Sequence, residues 1–366
     1  MTADTVGGVF DYSLELCRAL ASFGVGVTLA TMGAPLSSAQ WKALRALPNV
    51  DVHESQYRLE WMEDPWADVA RASTWLLDLE AMCRPELVHL NQYVFGATPF
   101  RAPRLLVGHS CVWSWFEAVK GTTPPPSFER YRQEVTLGLA RAERVVAPSR
   151  AMASALERFY GRRQGVMVIP NARDPEVWTP GPKAQVIFAA GRLWDEAKNV
   201  SALARIAARL PWPVRVAGAV KGPFGNTFTP NGVTLLGVIP PEAIAREMAA
   251  AAIYALPARY EPFGLSVLEA ALCGCALVLG DIPSLRELWD GAALFVPPDD
   301  TDALFAALCR LAASKIACAE AGQRARAHAL RYGPRRMVDG YLSVYASLGA
   351  TQPDASGPSS TSGATA

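Results

Sequence analysis

The feature that most constrains this chain is an alternation, run through twice, of short apolar runs rich in β-branched residues with longer segments of helical period. Residues 26–31, 87–90, 105–108, 144–147 and 167–170 read as strands, and a second series follows at 186–190, 214–218, 233–237, 253–256, 276–280 and 293–296. Such alternation is the pattern of parallel βαβ units. It predicts an α/β fold with two successive sheets. A length of 366 residues agrees, because it exceeds what one hydrophobic core usually organises. Pro175, Pro180 and Pro182 punctuate a stretch with no usable period, which puts the linker near 171–183. Residues 1–172 then form a first domain and 173–333 a second, with a cleft between them.

The ends of the chain carry their own signals. Residues 1–4 read as the tail of a strand, followed by a turn at Gly7-Gly8 and a helix over 9–23. In a doubly wound sheet the strand before the first glycine loop is central, and its neighbours need it as a ladder partner. Either that strand is very short or residues upstream of Met1 are absent; the second, a truncated first strand, is favoured. A helix over 334–348 presents Met337, Tyr341, Leu342 and Tyr345 on a face that needs a partner surface. Residues 349–366 are small and polar and are expected to be a disordered tail.

Composition excludes several functions. Charged residues make up 19% and the formal net charge is +1, so no general nucleic-acid surface is expected. No apolar run of membrane-spanning length occurs, and no basic amphipathic helix stands out, which leaves at most peripheral membrane contact. Asp4, Asp11 and Glu15 interrupt any apolar leader, and a cytoplasmic location is expected. The seven cysteines are scattered through Ala- and Leu-rich segments and read as reduced, buried thiols. Cys273-Gly-Cys275 has the wrong spacing for a redox or zinc motif.

The sharpest chemical signal is Arg259-Tyr-Glu261-Pro-Phe263-Gly264-Leu265-Ser-Val-Leu-Glu269. It follows a predicted strand and passes through glycine into a helix, so backbone N–H groups and the helix dipole favour a diphosphate or sugar hydroxyls. Glu261 in the loop and Glu269 in the helix can address different parts of one extended ligand. A second signal, Gly191-Arg192-Leu-Trp-Asp-Glu-Ala-Lys198-Asn199, follows the first strand of the second sheet. There an Arg offers a fork and a Lys a point charge to a diphosphate.

Glu261 and Glu269, with Pro-Phe-Gly after the first, resemble the signature of the retaining glycosyltransferases of family 4 (glycosyl transferases group 1). That family includes bacterial mannosyl-, glucosyl- and N-acetylglucosaminyl-transferases. The resemblance implies the GT-B fold, with two Rossmann-like parallel-sheet domains facing a cleft. It implies that Glu261 contacts the donor sugar and Glu269 the ribose hydroxyls. Phe263, Gly264 and Leu265 then belong to the donor-binding segment. Arg192 and Lys198 resemble the family's Gly-Arg…Lys-Asn motif, which binds the donor pyrophosphate and stabilises the leaving nucleotide. The Gly7-Gly8 loop resembles one that approaches the donor phosphates, which makes Gly8 a donor-binding candidate; alone it is a tight turn, and it lacks the Gly-x-Gly-x-x-Gly fingerprint of nicotinamide sites. His109, at the end of a predicted strand, takes by resemblance the place of a His that supports the transferred sugar. The competing reading is a structural His, and His89 is also near a strand end.

Catalytic candidates are thus His109, Glu261, Arg192 and Lys198, with no metal and no cofactor expected beyond the nucleotide sugar itself. Asp300-Thr-Asp302 reads as a helix N-cap rather than a metal motif. No carboxylate base pairs with Glu261 in the first domain, as inversion would require. In the resembling family the front-side reaction lets a donor phosphate oxygen take the acceptor's proton. The final helix, by the same analogy, crosses back onto the first domain.

The acceptor, a small molecule, glycan or lipid-linked hydroxyl, is expected in the first domain. The segments Glu60-Trp-Met-Glu-Asp-Pro-Trp66 and Cys111-Val-Trp113-Ser-Trp115-Phe116 concentrate aromatics that either stack on sugars or fill the core. The loop beginning at Gly121 is a lid or a passive connection. Two rival functions remain: a sugar-nucleotide epimerase of the same fold, disfavoured by four histidines in all, and a non-catalytic partner subunit, disfavoured by intact Arg192, Lys198, Glu261 and Glu269.

Overall fold

The computed structural model describes residues 1–161, 165–222, 225, 227–228 and 231–351. Of the tail expected over 349–366, residues 352–366 lie outside the described residues, while the Thr351 N–H donates to Glu86 Oε2 at 2.7 Å. The strands are β1 (Thr2–Asp4), β2 (Val27–Met32), β3 (Val50–Glu54), β4 (Val88–Leu90), β5 (Arg104–Val107), β6 (Arg144–Ala147) and β7 (Met167–Val168). They continue with β8 (Ala184–Ala190), β9 (Val214–Ala217), β10 (Thr234–Gly237), β11 (Ala251–Leu256), β12 (Ala276–Gly280) and β13 (Ala293–Val296). Helices join most of them, and the expected linker, 171–183, has neither helix nor strand. Asp300 caps its helix through the Ala303 N–H at 2.8 Å.

Three parallel ladders form rather than two: β1-β2-β3, β4-β5-β6-β7 and β10-β9-β8-β11-β12-β13. The seven strands of the first half divide because β1 is only three residues long. Where a ladder to β4 would run, the Asn91 side chain donates to the Thr2 carbonyl at 2.6 Å, and the Asn91 N–H donates to Thr2 Oγ1 at 2.9 Å. A polar side chain thus satisfies backbone that another strand would otherwise cover. Strand β3, absent from the sequence reading, has no buried residue; Val50 and Val52 alternate with Asp51 and His53 over only five residues, too short and too polar a stretch to stand out as an apolar run.

By contact density the chain separates into two units. One comprises Met1–Val107, Glu134–Val145 and the described residues from Met337; the other comprises those of Gly108–Gln133 and Val146–Arg336. The segments 108–133 and 146–172, read from sequence with the first lobe, therefore group with the second. Within the first unit, the C-terminal helix Pro334–Ser347 supplies Tyr341 and Tyr345. Tyr341 packs edge-on against Tyr12, and the Tyr345 hydroxyl lies 2.8 Å from His89 Nδ1. His89 Nε2 also meets the Tyr12 hydroxyl at 3.3 Å, so this buried histidine is held by two tyrosines.

In the second unit the six-stranded sheet buries both faces. Phe188, Tyr254 and Leu277 lie in one apolar layer, while Ile187, Ile253 and Ala276 lie in the other. Successive residues of a strand point to opposite faces, so strands covered by helices on both sides read as continuous apolar runs. At the sheet's C-terminal edge space is tight: a Cβ on Gly218, which has φ 142°, would stand 1.7 Å from the Gly191 carbonyl oxygen. Only glycine permits that approach. Five cysteines are buried as expected, whereas Cys83 and Cys309 are half-buried, and all seven are free thiols.

Candidate active site

The order of the six strands fixes where a ligand fits. β8 is central, with β9 and β10 added on one side and β11, β12 and β13 on the other. Chain direction around the sheet therefore reverses between β8 and β11, and a crevice opens outside the carboxyl ends of strands at such a switch point. The Arg192–Lys198 loop leaves β8, and the Glu261–Glu269 segment leaves β11. Two motifs separated by about sixty residues in sequence are thereby neighbours, with Tyr254 of β11 in register with Phe188 of β8.

The contact between them is direct. Lys198 Nζ donates to Glu261 Oε2 at 2.5 Å, and both side chains are largely buried. The loops are also stitched by backbone: the Ala197 carbonyl accepts the N–H groups of Arg259 at 2.8 Å and Tyr260 at 3.4 Å. The Ser284 hydroxyl donates to the Glu261 carbonyl at 2.6 Å, and the Ser149 hydroxyl to that of Pro262 at 2.7 Å. Gly264, at φ 87°, ends the loop and caps the helix Leu265–Leu272. A side chain there would strain the backbone and crowd Val267 and Glu261. Phe263 is buried in the apolar core, so it can offer a donor only its backbone.

Glu269 lies inside that helix, and Arg173 Nε donates to its Oε1 at 2.6 Å, with both residues buried. Tyr254 sits where both carboxylates are felt. Burial raises its pKa, bonding of its hydroxyl to Ser266 and the Ala190 carbonyl opposes the rise, and the charges of Glu269 and Glu261 add to it.

Arg192 is more open than Lys198. Its guanidinium bonds Asp195 Oδ2 at 2.9 Å and lies 5.4 Å from the Trp194 ring. Asp195 is buried, and its Oδ1 accepts the Trp115 indole N–H at 3.2 Å and the Ala197 N–H at 3.0 Å. Asn199 adopts the left-handed conformation and donates to the carbonyls of Pro257 at 2.9 Å and Pro298 at 2.6 Å, which fastens the loop below Lys198.

His109 follows β5 in the loop leading to the helix Val112–Lys120. It is half-buried, and desolvation pulls its pKa down to about 3. It is therefore a neutral imidazole near pH 7, able to hydrogen-bond a sugar hydroxyl but a feeble base. Its loop meets the Glu261 loop through Tyr260, whose hydroxyl accepts the Cys111 N–H at 3.2 Å and lies 2.8 Å from Ser114 Oγ. Within the first unit, Gly8 is exposed and opens the helix Gly8–Ala21, after Gly7 at φ 144°.

The aromatic clusters divide. Trp113 is core filling, stacked on Tyr131, whereas Trp115 orients Asp195. Glu60 is buried in the first unit, where its carboxylate accepts the N–H groups of Tyr93 at 3.1 Å and Val94 at 2.9 Å. Burial raises its pKa to about 7, against the opposing effect of those N–H groups and with help from Asp4. Among the described residues, no three His, Cys, Asp or Glu side chains gather as a metal-holding group.

Comparison with known proteins now decides the family. Residues 6–177 match the family model described as Glycosyltransferase Family 4, and residues 184–314 match that described as Glycosyl transferases group 1. The chain belongs to the group 1, family 4 glycosyltransferases. It is 27% identical over 390 aligned positions to D-inositol 3-phosphate glycosyltransferase of Saccharomonospora viridis, covering 93% of this chain and 89% of the relative. Its fold is GT-B. Sucrose-phosphate synthase of Thermosynechococcus elongatus superposes with a TM-score of 0.76 at 19% identity, covering 92% of each chain. HepE of Anabaena in complex with UDP-glucose superposes with a TM-score of 0.75 at 19% identity, covering 95% of this chain and 100% of that one. The chain is a glycosyltransferase. None of its described helices is long and apolar enough to cross a membrane.

Proposed function

We propose that the chain is a retaining, metal-independent hexosyltransferase of the cytoplasm. It moves a sugar from a nucleoside-diphosphate donor to a hydroxyl of a small-molecule, glycan or lipid-linked acceptor. The carrying observation is the 2.5 Å pair of Lys198 and Glu261 at the switch point of the sheet. A cation for phosphate stands one hydrogen bond from a carboxylate for sugar hydroxyls, which is the order of charges along a nucleotide sugar. Lys198 and Arg192 balance the charge that builds on the diphosphate as the bond to the anomeric carbon breaks. Glu261 and His109 hold sugar hydroxyls, Glu269 accepts the ribose hydroxyls, and the backbone of Phe263, Gly264 and Leu265 lines the donor. Gly8 leaves backbone room for phosphate at its helix N-terminus.

Retention fits these roles. The acceptor oxygen bonds the anomeric carbon on the face the phosphate leaves, and the departing phosphate oxygen takes the acceptor's proton. The pKa of His109, at about 3, makes it a poor substitute for that oxygen as a base. A UDP-glucose complex of HepE supports a nucleoside-diphosphate sugar as donor. The test is incubation of the full chain, with EDTA, against UDP-, GDP- and ADP-linked hexoses. Release of nucleoside diphosphate from one donor is expected, with retained anomeric configuration in the product by NMR. Failure to cleave any donor would sink the transferase assignment, and an inverted product would sink retention.

A further inference from the structure

Arg173 was not among the residues that the sequence pointed to, yet it forms a buried ion pair with Glu269. Its guanidinium donates from Nε to Glu269 Oε1 at 2.6 Å, across 96 residues of sequence, with each side chain about nine-tenths buried. Its backbone is fixed to the same motif: the Arg173 N–H donates to the Tyr332 carbonyl at 3.2 Å, and the Tyr332 ring stands edge-on to Phe263 at 5.8 Å. Stability does not account for such a pair. A buried ion pair replaced by apolar residues of similar volume is often neutral or stabilising, because desolvating two charges costs as much as their attraction returns. A carboxylate that must bind two adjacent hydroxyls, however, gains from being held in one plane.

We propose that Arg173 is a positioning residue that fixes the Glu269 carboxylate for the 2′,3′-diol of the donor ribose, and so sets the preference for ribonucleotides. The proposal rests on the reading of Glu269 as the ribose acceptor. A carboxylate has acceptor capacity for about four hydrogen bonds, so commitment of Oε1 to Arg173 is compatible with diol binding. The guanidinium is a permanent charge with a rigid planar fork, which limits the rotation of the carboxylate it bonds. A lysine keeps the charge and loses the fork.

The test is calorimetric binding of UDP, GDP and ADP, each against its 2′-deoxy counterpart, to the full chain and its variants. A charge-assisted hydrogen bond to the 2′-hydroxyl is expected to make the ribose form of the preferred nucleotide bind about tenfold or more tightly in the wild type. Glu269→Gln brings that ratio close to one. Arg173→Met lowers it likewise, and Arg173→Lys gives a value between. A merely structural role would weaken both forms alike and leave the ratio unchanged. If Glu269→Gln keeps the wild-type ratio, the ribose reading fails whatever Arg173 does. If Glu269→Gln loses it while both arginine variants keep it, the role of Arg173 alone is overturned. Should Arg173→Met fail to fold, Arg173→Lys decides: a reduced ratio supports the proposal and a wild-type ratio overturns it. Binding of none of the three nucleotides removes both.

Discussion

Lys198 and Glu261, on loops that leave adjacent strands, share a 2.5 Å ion pair with both side chains largely buried. Their separation of 63 residues in sequence is closed by strand order alone, because β8 and β11 are neighbours. The pair ties the two loops together and sets the cation proposed for the diphosphate beside the carboxylate proposed for the sugar. Two groups with these neighbours should act as one unit.

Removing either charge should therefore cost the reaction heavily. Lys198→Met and Glu261→Gln are each expected to lower kcat by about 10²- to 10³-fold, the range found when one transition-state donor or charge is deleted. The double variant should lose much less than the product of the two, as residues acting together are non-additive. Steady-state rates at saturating donor and acceptor measure this. Single variants within about threefold of wild type, against that expected loss, would remove both residues from the mechanism.

The pKa of His109 gives a separate test. An ordinary histidine would titrate near 6.5, but desolvation holds this one at about 3. His109→Asn should lower kcat through loss of a hydrogen-bond partner. The ratio of wild-type to variant kcat should stay flat from pH 5.5 to 8, since His109 is neutral throughout that window. A ratio that falls as pH drops through 6.5 would mean that the histidine titrates normally and acts in a protonation step.

The sequence made the α/β class, eleven of the strands and both charged motifs legible, because each rests on local pattern, whereas the grouping of 108–133 and 146–172 with the second unit does not. A strand covered on both faces is a short apolar run, and Glu261 and Lys198 follow such runs directly. What it hid depends on distant partners. Nothing near Arg173 signals a buried ion pair, since Glu269 is 96 residues away and the surrounding segment reads as a linker. Asp195 has the position of an N-cap before a short turn, but its bonds to Arg192 and Trp115 come only with folding. β3 was missed because it is only five residues long, with Val50 and Val52 alone apolar and none of the five buried.

Glu60 couples stability to pH. Its pKa is raised by burial to about 7 from a usual 4.5, so between these values the folded chain binds the proton more tightly than the unfolded chain. Stability contributed by this group is complete at low pH and declines as pH rises from about 4.5 to 7, by roughly 3 kcal/mol in all. His109 works in the opposite sense below 6.5, since the unfolded state alone then takes up its proton. The comparison that isolates Glu60 is Glu60→Gln minus wild type. That difference should move in favour of the variant as pH rises from 5 to 7.5. A difference that is constant across the range would show that Glu60 ionises normally.

Asp195 separates orientation from stability. Its Oδ2 bonds Arg192, which is 43% exposed, so the ion pair itself contributes at most about 1 kcal/mol. Its Oδ1 accepts from Trp115 and Ala197 in a buried setting, where an abandoned donor costs about 1–3 kcal/mol. Asp195→Asn keeps one oxygen for those two N–H groups and turns an amide towards the guanidinium. It should hold Tm within a few degrees and, on the proposed role of Arg192 at the diphosphate, raise the donor KM several-fold, because Arg192 loses the carboxylate that orients it. Asp195→Ala should lower Tm as well, because both N–H groups are then stranded. Equal loss of Tm in the two variants would mean that the charge, and not the Oδ1 acceptor, holds the loop in place.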